Sequence, residues 1–527
     1  MIGRPGRTTL LWLALLAALL ALRVPSIVQP AGGDQGLYVY EAQRVLAGDA
    51  PYRDVWDQKP PGIAFLYAAA WRIWPHESVV PLADLLAAAG VASLLVLIGA
   101  RRAAGTRIGY AAAAVYLLLA DPSIQTLGGV YVRGQCEPFI ALAVTAAIAL
   151  LTPVVRKPWH YIGAGVGLAL AFWLKYNAAA YALPLALAVW AWAPVDQRRP
   201  AALVRSLAWI AAGFAAVGVA ALAYFAMRGA LHDLQLATIA YNLGYSEETY
   251  TGIVSVLTYP VRMLVSRAKV DMLWFLGSLG SLLILWHGRS DRSTAVWLGW
   301  LAAAVLSITI NGQRGAPNYF VQAAPALAFA CAAGFATLRT RAVWMRAGAA
   351  ALVVAAFCRV GANAPTMGIR WGGMPALIET VGRDLRYASG RLDRDAYLGY
   401  FKGVKHDALA VDRLARYVRD TTAASDVIFV FGFSGGSVGF KSERESASRF
   451  FWSRPILIEF AAGEPGYGSA GLLADLERRK PVLVALQREQ WESERFFLEQ
   501  TGLRTWLEQG YVLEQDTAMF SVWRRNF

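Results

Sequence analysis

Four acids that could face a reaction and one lysine lie close together near the N-terminus, between residues 31 and 68. The acids are Asp34, Glu41, Asp54 and Asp57. Asp34 follows two glycines shortly after the first long apolar run, where a carboxylate is only partly hydrated. This setting suits a general base that takes a proton from a hydroxyl group. A helix cap or a solvated loop acid would also explain the residue.

The lysine is Lys59, which stands directly before Pro60 and Pro61 in the segment WDQKPPG. Proline fixes its own φ and restrains the residue before it, so the backbone around this lysine is stiff. An ammonium group held in this way suits a phosphate oxyanion. Asp57 and Asp54 could orient the lysine or bind a sugar. A lysine that extends to a membrane interface would look the same.

Arg133 and Glu137 stand at the start of another apolar run, in YVRGQCEPFIALAV. A carboxylate at mid-membrane costs about 2.5–3.5 kcal/mol, and less near the edge. We therefore expect Glu137 to face the protein interior and to form an ion pair, with Arg133 as its partner. Glu137 is also a candidate second acid for acceptor or sugar hydroxyls.

Two further cations lie at the ends of apolar runs. Lys175 occupies a tight turn between two runs, and Arg314 precedes Tyr319 at the start of another. Lys175 could contact a phosphate or a sugar, and Arg314 or Arg133 could neutralise a leaving phosphate, with Tyr319 as a nearby hydrogen-bonding group. Both cations would look the same as interface anchors.

The composition indicates the elements that must position these residues. The 527 residues are 57% apolar and only 16% charged, whereas soluble proteins have about 25% charged residues. Apolar runs of about 18 or more residues recur, which predicts a membrane all-α protein. We expect about eleven spans, at 9–29, 80–100, 108–120, 137–154, 159–175, 178–194, 207–227, 272–287, 293–310, 319–338 and 342–360.

Arginines and lysines concentrate in the loops on one side of these spans, which the positive-inside rule assigns to the cytoplasm. The net charge of +14 therefore orients helices, and we predict no nucleic-acid partner. The chain is predicted to be a multi-pass protein of the cytoplasmic (inner) membrane with a cytoplasmic N-terminus. Loops 30–79, 121–136, 228–271 and 311–318 then lie outside, and with them all the candidate residues.

The chain becomes charged and mixed after about residue 363. Strands alternate with helices there, which predicts a small extracytoplasmic α/β domain at 363–527 beside a transmembrane module at 1–362. Lys441, Arg444 and Arg449 are expected on a solvated face, with lipid head groups or an acceptor as the alternative contacts. No metal-binding spacing of Cys or His appears.

Three motifs together resemble the GT-C glycosyltransferases, in particular bacterial family-39-like enzymes related to protein O-mannosyltransferases and to the lipid A aminoarabinose transferase. They are the loop G-D-x-P-Y-x-D-x-W-D-x-K-P-P, an E-P pair that opens a span, and N-Y-F-x-Q-x-x-P at a late span. The matching residues are Gly48, Asp49, Pro51, Tyr52, Asp54, Trp56, Asp57, Lys59, Pro60, Pro61, Glu137, Pro138, Asn318, Tyr319, Gln322 and Pro325.

This resemblance implies inverting transfer of a hexose or pentose from a polyprenyl-phosphate donor to a hydroxyl of a glycan or lipid, outside the membrane, in cell-envelope glycan biosynthesis. It implies that Asp34 is the base and that Lys59 holds the donor phosphate. The scheme requires no cofactor. Gln58 replaces the acid that the lipid A enzyme has before its lysine. The second acid therefore stays open among Asp54, Asp57 and Glu137.

Two other classes of protein are alternatives to a glycosyltransferase. A transporter or flippase of lipid-linked saccharides needs ionisable residues within its spans and repeat symmetry, and the sequence shows few such charges and no obvious repeat. A non-catalytic scaffold of the cell envelope would bind partners through its outer domain. Loss of function on Asp34 substitution distinguishes an enzyme from such a scaffold.

Overall fold

A computed structural model describes residues 6–102, 105–120, 130–287, 291–340, 343–360, 365–366, 369–370, 373–403, 405–488 and 492–526. Most of the predicted loop 121–136 and the predicted domain boundary between 362 and 363 lie outside these residues. The boundary therefore stays a prediction.

The described residues are mainly helical. The helices are α1 (Arg7–Arg23), α2 (Gly33–Ala47), α3 (Gly62–Ile73), α4 (Val79–Arg102), α5 (Thr106–Leu119), α6 (Val130–Arg133), α7 (Cys136–Leu150), α8 (Pro158–Leu174), α9 (Ala182–Ala191), α10 (Pro200–Met227), α11 (Leu231–Gln235), α12 (Tyr241–Glu247), α13 (Ile253–Val270), α14 (Met272–His287), α15 (Ser293–Ile310), α16 (Ala324–Ala336), α17 (Val343–Val360), α18 (Gly373–Ala388), α19 (Arg394–Leu398), α20 (Ala408–Thr421), α21 (Gly435–Ser442), α22 (Arg454–Leu457), α23 (Gly468–Arg479), α24 (Ser493–Glu499) and α25 (Thr501–Gly510).

A helix forms in each of the predicted spans. Among the described residues, five helical stretches are long and apolar enough to cross a membrane, and these are Arg7–Val28, Val79–Arg102, Pro200–Met227, Ser293–Ile310 and Pro317–Ala336. Shorter apolar helices such as Thr106–Leu119 and Cys136–Leu150 accompany them. The protein is a multi-pass membrane protein, and the count of about eleven spans stays a prediction.

The described residues group into two compact units. Unit 1 comprises Met1–Gln29, Pro81–Ala221 and Tyr245–Ala388, and unit 2 comprises Pro30–Val80, Leu222–Gly244 and Ser389–Phe527. Unit 2 thus combines the loop that follows the first span with the C-terminal part of the chain. Each unit is assembled from segments that are far apart in the sequence.

Unit 1 is a bundle of apolar helices. Close backbone approach characterises its packing, because a Cβ atom on Gly280 of α14 would lie 2.3 Å from the carbonyl oxygen of Ala330 in α16. Unit 1 also contains a short antiparallel ladder of β1 (Pro365–Thr366) and β2 (Ile369–Arg370). Small residues therefore bring the helices of this unit together, as is common in membrane bundles.

Unit 2 contains a five-stranded mixed sheet. Its strands are β3 (Val427–Phe431), β4 (Glu445–Ser446), β5 (Leu483–Gln487), β6 (Tyr511–Asp516) and β7 (Phe520–Arg525), in the order β4-β3-β5-β7-β6. β3 pairs in parallel with β4 and β5, and β7 pairs antiparallel with β5 and β6. Strands and helices occur together here, as predicted, and β6 and β7 form a C-terminal hairpin. Apolar residues of α20, β3, β5 and β7 form the core.

Helices α2 and α3 belong to the loop part of unit 2. Helix α3 begins at Gly62, directly after the two prolines that follow Lys59. Helix α2 ends at Gly48, whose φ of 106° is a left-handed conformation that glycine adopts without strain. Helix α2 packs against α21 through glycines, because a Cβ atom on Gly36 would lie 1.9 Å from the Ser437 hydroxyl oxygen.

Candidate active site

Asp34 lies in the first turn of α2. The N-cap position is held by Gly32, so the structure does not support Asp34 as the capping residue. The Asp34 side chain is 35% exposed. A carboxylate in the first turn of a helix is favoured by the helix dipole. Helix α2 therefore presents a partly hydrated acid at its N-terminus, as the sequence predicts.

Lys59 faces this acid and a second one. Its ammonium nitrogen lies 3.5 Å from Asp34 Oδ1 and 3.7 Å from Asp57 Oδ2. The same nitrogen lies 4.9 Å from the centre of the Tyr38 ring. Both contacts with the carboxylates are longer than a strong charge-assisted hydrogen bond, which measures about 2.7–2.9 Å. One cation is thus shared between two carboxylates, and Asp57 lies where it can orient Lys59, as the sequence suggested.

Side chains from three segments fix the backbone that carries Lys59. Tyr52 Oη donates to the Lys59 carbonyl oxygen at 2.8 Å. Asn242 Nδ2 donates to the Gln58 carbonyl oxygen at 2.6 Å. Trp452 Nε1 donates to the Trp56 carbonyl oxygen at 3.2 Å. These three bonds and the two prolines that follow hold the lysine in place.

Burial raises the pKa of both Asp57 and Glu41 in the same part of unit 2. The Asp57 side chain is 1% exposed and accepts a hydrogen bond from the Gln58 amide at 2.8 Å. Desolvation raises the pKa of Asp57, although Lys59 opposes the shift. Glu41 is 2% exposed, and burial followed by the charge of Asp57 raises its pKa well above the usual value. We call Asp34, Glu41, Asp57 and Lys59 the loop cluster.

Asp54 is not part of the loop cluster. Its carboxylate contacts the Arg53 guanidinium at 2.7 Å and accepts a hydrogen bond from the Ala50 amide at 2.9 Å. The prediction that Asp54 could orient Lys59 is therefore wrong, because the Asp54 carboxylate pairs with the Arg53 guanidinium instead. Its role in substrate binding stays a prediction.

His406 is a further group near Asp34 that the sequence did not indicate. It is 2% exposed, and its Nδ1 atom lies 3.3 Å from the Ser434 hydroxyl oxygen. Burial, with the charge of Lys441 in addition, lowers the pKa of His406 to about 3, and Asp34 is among the charges that act on it. The imidazole is therefore neutral at physiological pH. Its segment shows no motif that could have identified it.

Glu137 is buried in unit 1, and its partner is Lys175. The Glu137 side chain is 0% exposed and lies 2.6 Å from the Lys175 ammonium nitrogen. The same nitrogen lies 4.2 Å from the centre of the Tyr319 ring. The prediction that Glu137 faces the interior in an ion pair is confirmed. We call Glu137 and Lys175 the closed pair.

The prediction that Arg133 pairs with Glu137 is wrong. Arg133 contacts Asp84 at 3.2 Å and donates to the Ser26 hydroxyl at 2.7 Å. Asp84 also pairs with Arg23 at 2.8 Å. The sequence prediction missed this buried group. Asp84 could have indicated it, because an acid inside an apolar run such as α4 requires a partner.

Arg314 contacts residues of its own unit. Its guanidinium lies 2.9 Å from Glu248 and 3.5 Å from the centre of the Tyr245 ring. It also donates to the Tyr245 carbonyl oxygen at 2.8 Å. Its role toward a leaving phosphate stays a prediction.

The solvated face predicted for Lys441, Arg444 and Arg449 is wrong. Lys441 pairs with Glu77 at 2.6 Å, and Arg449 pairs with Asp233 at 3.1 Å. Arg444 is buried. Acids from distant segments of unit 2 cover these cations, and this contact is not visible in the local charge pattern.

Within the described ranges, no three His, Cys, Asp or Glu side chains meet in a way that could hold a metal ion. This geometry does not test whether the protein requires a metal ion. The loop cluster offers an acid, a cation and two buried carboxyl groups, which suits proton transfer beside an anionic group.

Comparison with solved structures defines the class of fold. The chain is similar to ArnT from Cupriavidus metallidurans bound to undecaprenyl phosphate, with a TM-score of 0.63 and 16% identity over 98% of both chains. The apo state of the same ArnT gives a TM-score of 0.61 and 15% identity over 98% of both chains. ArnT is a GT-C glycosyltransferase, so the chain has the GT-C fold that the sequence predicts.

Two other comparisons give no relatives. No protein-family model matches the chain. No curated protein matches it either. At such low identity the likeness to ArnT defines the fold, whereas function depends on the residues of the site in this chain.

Proposed function

We propose that the protein transfers a sugar, a hexose or a pentose, from a polyprenyl-phosphate donor to a hydroxyl of a glycan or lipid on the outer face of the cytoplasmic membrane. One observation carries the proposal. A partly exposed carboxylate, Asp34, lies 3.5 Å from the largely buried ammonium of Lys59. A proton acceptor and a phosphate-binding cation are thus neighbours within one unit.

The chemistry needs few groups. The acceptor oxygen attacks the anomeric carbon of the donor sugar and inverts it, while the bond between that carbon and the phosphate oxygen breaks. The acceptor proton passes to Asp34. The electron pair of the broken bond stays on the phosphate, and Lys59 balances the charge that develops there. Because the leaving group is an anionic phosphate, no general acid is required.

The donor assignment has separate support. The ArnT structure with the same fold holds undecaprenyl phosphate, a polyprenyl phosphate. In this chain, Lys59 has long contacts with its two carboxylates, so a phosphate oxygen can compete for the same ammonium. Arg314 and Arg133 remain weaker candidates for this role, because each contacts a carboxylate at 3.2 Å or less.

The test is a transfer assay with purified protein in detergent, labelled polyprenyl-phosphate sugars and membrane glycolipid acceptors. Asp34→Asn should reduce turnover by about 10²–10⁴-fold, the usual contribution of a general base. The expected effect falls on kcat, and the midpoint of thermal unfolding should stay unchanged.

Asp395→Asn is a matched control, because Asp395 is also an acid in the first turn of a helix, α19. It pairs with Arg413 and lies outside the loop cluster. Near-normal turnover of Asp34→Asn would remove Asp34 from its role. Failure of the wild-type protein with every lipid donor tested would overturn the proposed function.

A further inference from the structure

A cavity of about 300 Å³ lies in unit 1, and none of the residues that line it belongs to the loop cluster or the closed pair. Its walls come from the loop before α8, the C-terminal end of α9 and the first turns of α10. A volume of this size is at the lower end of the range for ligand pockets, about 300–1,000 Å³. The proposed sugar transfer gives this cavity no task. We call it the arginine cavity, and its polar lining consists of Arg156, Tyr161, Gln197, Arg205 and Ser206.

The described lining of the arginine cavity includes two cations and no acid. Arg156 is half-buried, and Arg205 is exposed. Arg156 Nη1 donates to the Ala188 carbonyl oxygen at 3.4 Å, and the guanidinium lies 5.5 Å from the centre of the Tyr161 ring. Both of these partners are neutral, and the hydrogen bond uses one of the five N–H donors of a guanidinium. An anion in the cavity can therefore bind donors that these contacts do not use.

The chain around the arginine cavity is basic. Residues 151–160 and 194–209 contain one acid, Asp196, and five cations, which are Arg156, Lys157, Arg198, Arg199 and Arg205. Helices α8 and α10 begin in these segments, at Pro158 and Pro200, so the positive ends of their dipoles add to the same field. The positive-inside rule predicts the cytoplasmic side for this end of the bundle. The electrostatic field here favours an anionic ligand.

Backbone contact between α8 and α10 fixes two walls of the cavity. A Cβ atom on Gly165 of α8 would lie 2.0 Å from the Ile210 carbonyl oxygen, and one on Gly213 of α10 would lie 2.1 Å from the Ile162 carbonyl oxygen. The residues that line the cavity stand within two turns of this contact, because they include Tyr161 and positions 202–209. Two helices packed so closely cannot slide without losing the contact. The cavity is therefore a preformed feature of unit 1.

The outer surface of α10 indicates what kind of anion fits. Only 17% of the residues in its most apolar stretch are buried. Val204 is 65% exposed, Leu207 is 39% exposed and Trp209 is 40% exposed. An apolar helix surface that is exposed in a membrane protein contacts acyl chains. Because Trp209 also lines the cavity, a ligand with an anionic head and apolar tails can use both surfaces at once.

We propose that the arginine cavity binds the phosphodiester head group of an anionic glycerophospholipid, with Arg156 and Arg205 as its phosphate ligands and its acyl chains along α10. Guanidinium groups match phosphate geometry and can bind two of its oxygens at once. Tyr161, Gln197 and Ser206 add uncharged hydrogen-bonding groups beside them. Basic pockets between membrane helices on the cytoplasmic side recognise head groups of this kind. The site is separate from the loop cluster and needs no sugar transfer.

The test measures the affinity of the full-length protein in a non-ionic detergent for a fluorescent short-chain phosphatidylglycerol. The wild type should bind it more tightly than phosphatidylcholine of the same chain length, which has no net charge. Arg156→Gln and Arg205→Gln should each raise the Kd for phosphatidylglycerol about 10-fold or more, because each removes a charged hydrogen bond to the phosphate. Arg107→Gln is the matched control, since Arg107 is an exposed arginine of α5 that does not line the cavity. It should keep the wild-type Kd.

The outcomes separate a lipid site from a phosphate site and from general surface charge. Inorganic phosphate and glycerol 3-phosphate should not displace the lipid at equal concentration, and displacement by either would overturn the lipid assignment. Arg205 is exposed, so Arg205→Gln keeps the test usable if Arg156→Gln does not fold. A wild-type Kd in Arg205→Gln would overturn the inference. An equal loss of affinity in Arg107→Gln would also overturn it, because binding would then follow the overall charge.

Discussion

The two lysines at the centres of the clusters have opposite environments. In unit 1, Lys175 and Glu137 form a contact of 2.6 Å, and the glutamate is fully buried. In unit 2, Lys59 is shared at 3.5 and 3.7 Å by Asp34 and Asp57, and Asp34 is partly exposed. The first lysine has one short contact with a carboxylate, whereas the second has longer contacts with two carboxylates.

This difference motivates the hypothesis that the closed pair stabilises unit 1 and that the loop cluster takes part in the proposed reaction. A buried charge that loses its partner is strongly destabilising. A shared cation with long contacts can exchange one carboxylate for a phosphate oxygen. We therefore expect substitutions in the closed pair to change stability, and substitutions in the loop cluster to change substrate use.

The largest expected effect on stability is that of Glu137→Gln. It leaves the buried Lys175 without a counter-charge, which costs about 3–5 kcal/mol in buried pairs. The midpoint of thermal unfolding in detergent should fall sharply. The double variant Glu137→Gln/Lys175→Met removes both charges and should recover most of the loss. Wild-type stability together with loss of transfer would instead support Glu137 as the second acid.

Lys59→Met should act on the donor. A hydrogen bond to a charged group contributes about 1.5–3 kcal/mol, so the donor KM should rise about 10- to 100-fold. Because Asp34 and Asp57 both lose the cation that they share, the effect on stability is a second measurement. Lys175→Met is the comparison variant, for which a fall in the unfolding midpoint should dominate. An unchanged donor KM in Lys59→Met would refute the phosphate assignment.

Gly36→Ala tests whether packing on α21 positions the loop cluster. The new Cβ atom would lie 1.9 Å from Ser437 Oγ and 2.8 Å from Ser437 Cα. Overpacking of this kind costs about 1–3 kcal/mol, which should lower both stability and turnover. Ser437→Gly in the same chain removes the hydroxyl and should restore part of each. No change on Gly36→Ala would show that α2 tolerates a shift away from α21.

The smallest effect is expected for Asp54→Asn. Arg53 is exposed and Asp54 is about one-third exposed (32%), and solvent-accessible pairs contribute about 0–1 kcal/mol. Stability and donor KM should stay close to those of the wild type. A marked rise in the KM for donor or acceptor would restore Asp54 to the substrate-binding role that the sequence predicts for it.

The sequence was sufficient where a local pattern determines the outcome. Apolar runs predicted the helices, and the WDQKPPG segment indicated that Asp57 could orient Lys59. It was insufficient where the partner depends on packing. Arg133 is near Glu137 in sequence, yet Lys175, 38 residues away, is the partner that the packing of α7 on the turn after α8 supplies.

The same limit applies to burial. The charged segment that contains Lys441 and Arg449 resembles a solvated surface, because no local residue shows that Glu77 and Asp233 cover it. The buried Glu41 also has no signature in the sequence, since its neighbours along α2 do not reveal that it is covered. Tertiary contacts in unit 2 decide both cases.

The residues that donate the three hydrogen bonds around Lys59 are synthesised at different times. Tyr52 is synthesised just before the lysine, Asn242 is separated from the Gln58 that it binds by 184 residues, and Trp452 is separated from Trp56 by 396 residues. A growing chain therefore contains the WDQKPP segment long before the ribosome has added Trp452. A nascent or truncated chain that stops short of Trp452 lacks the hydrogen bond to the Trp56 carbonyl oxygen, so the segment around Lys59 gains all three of these bonds only near the end of synthesis.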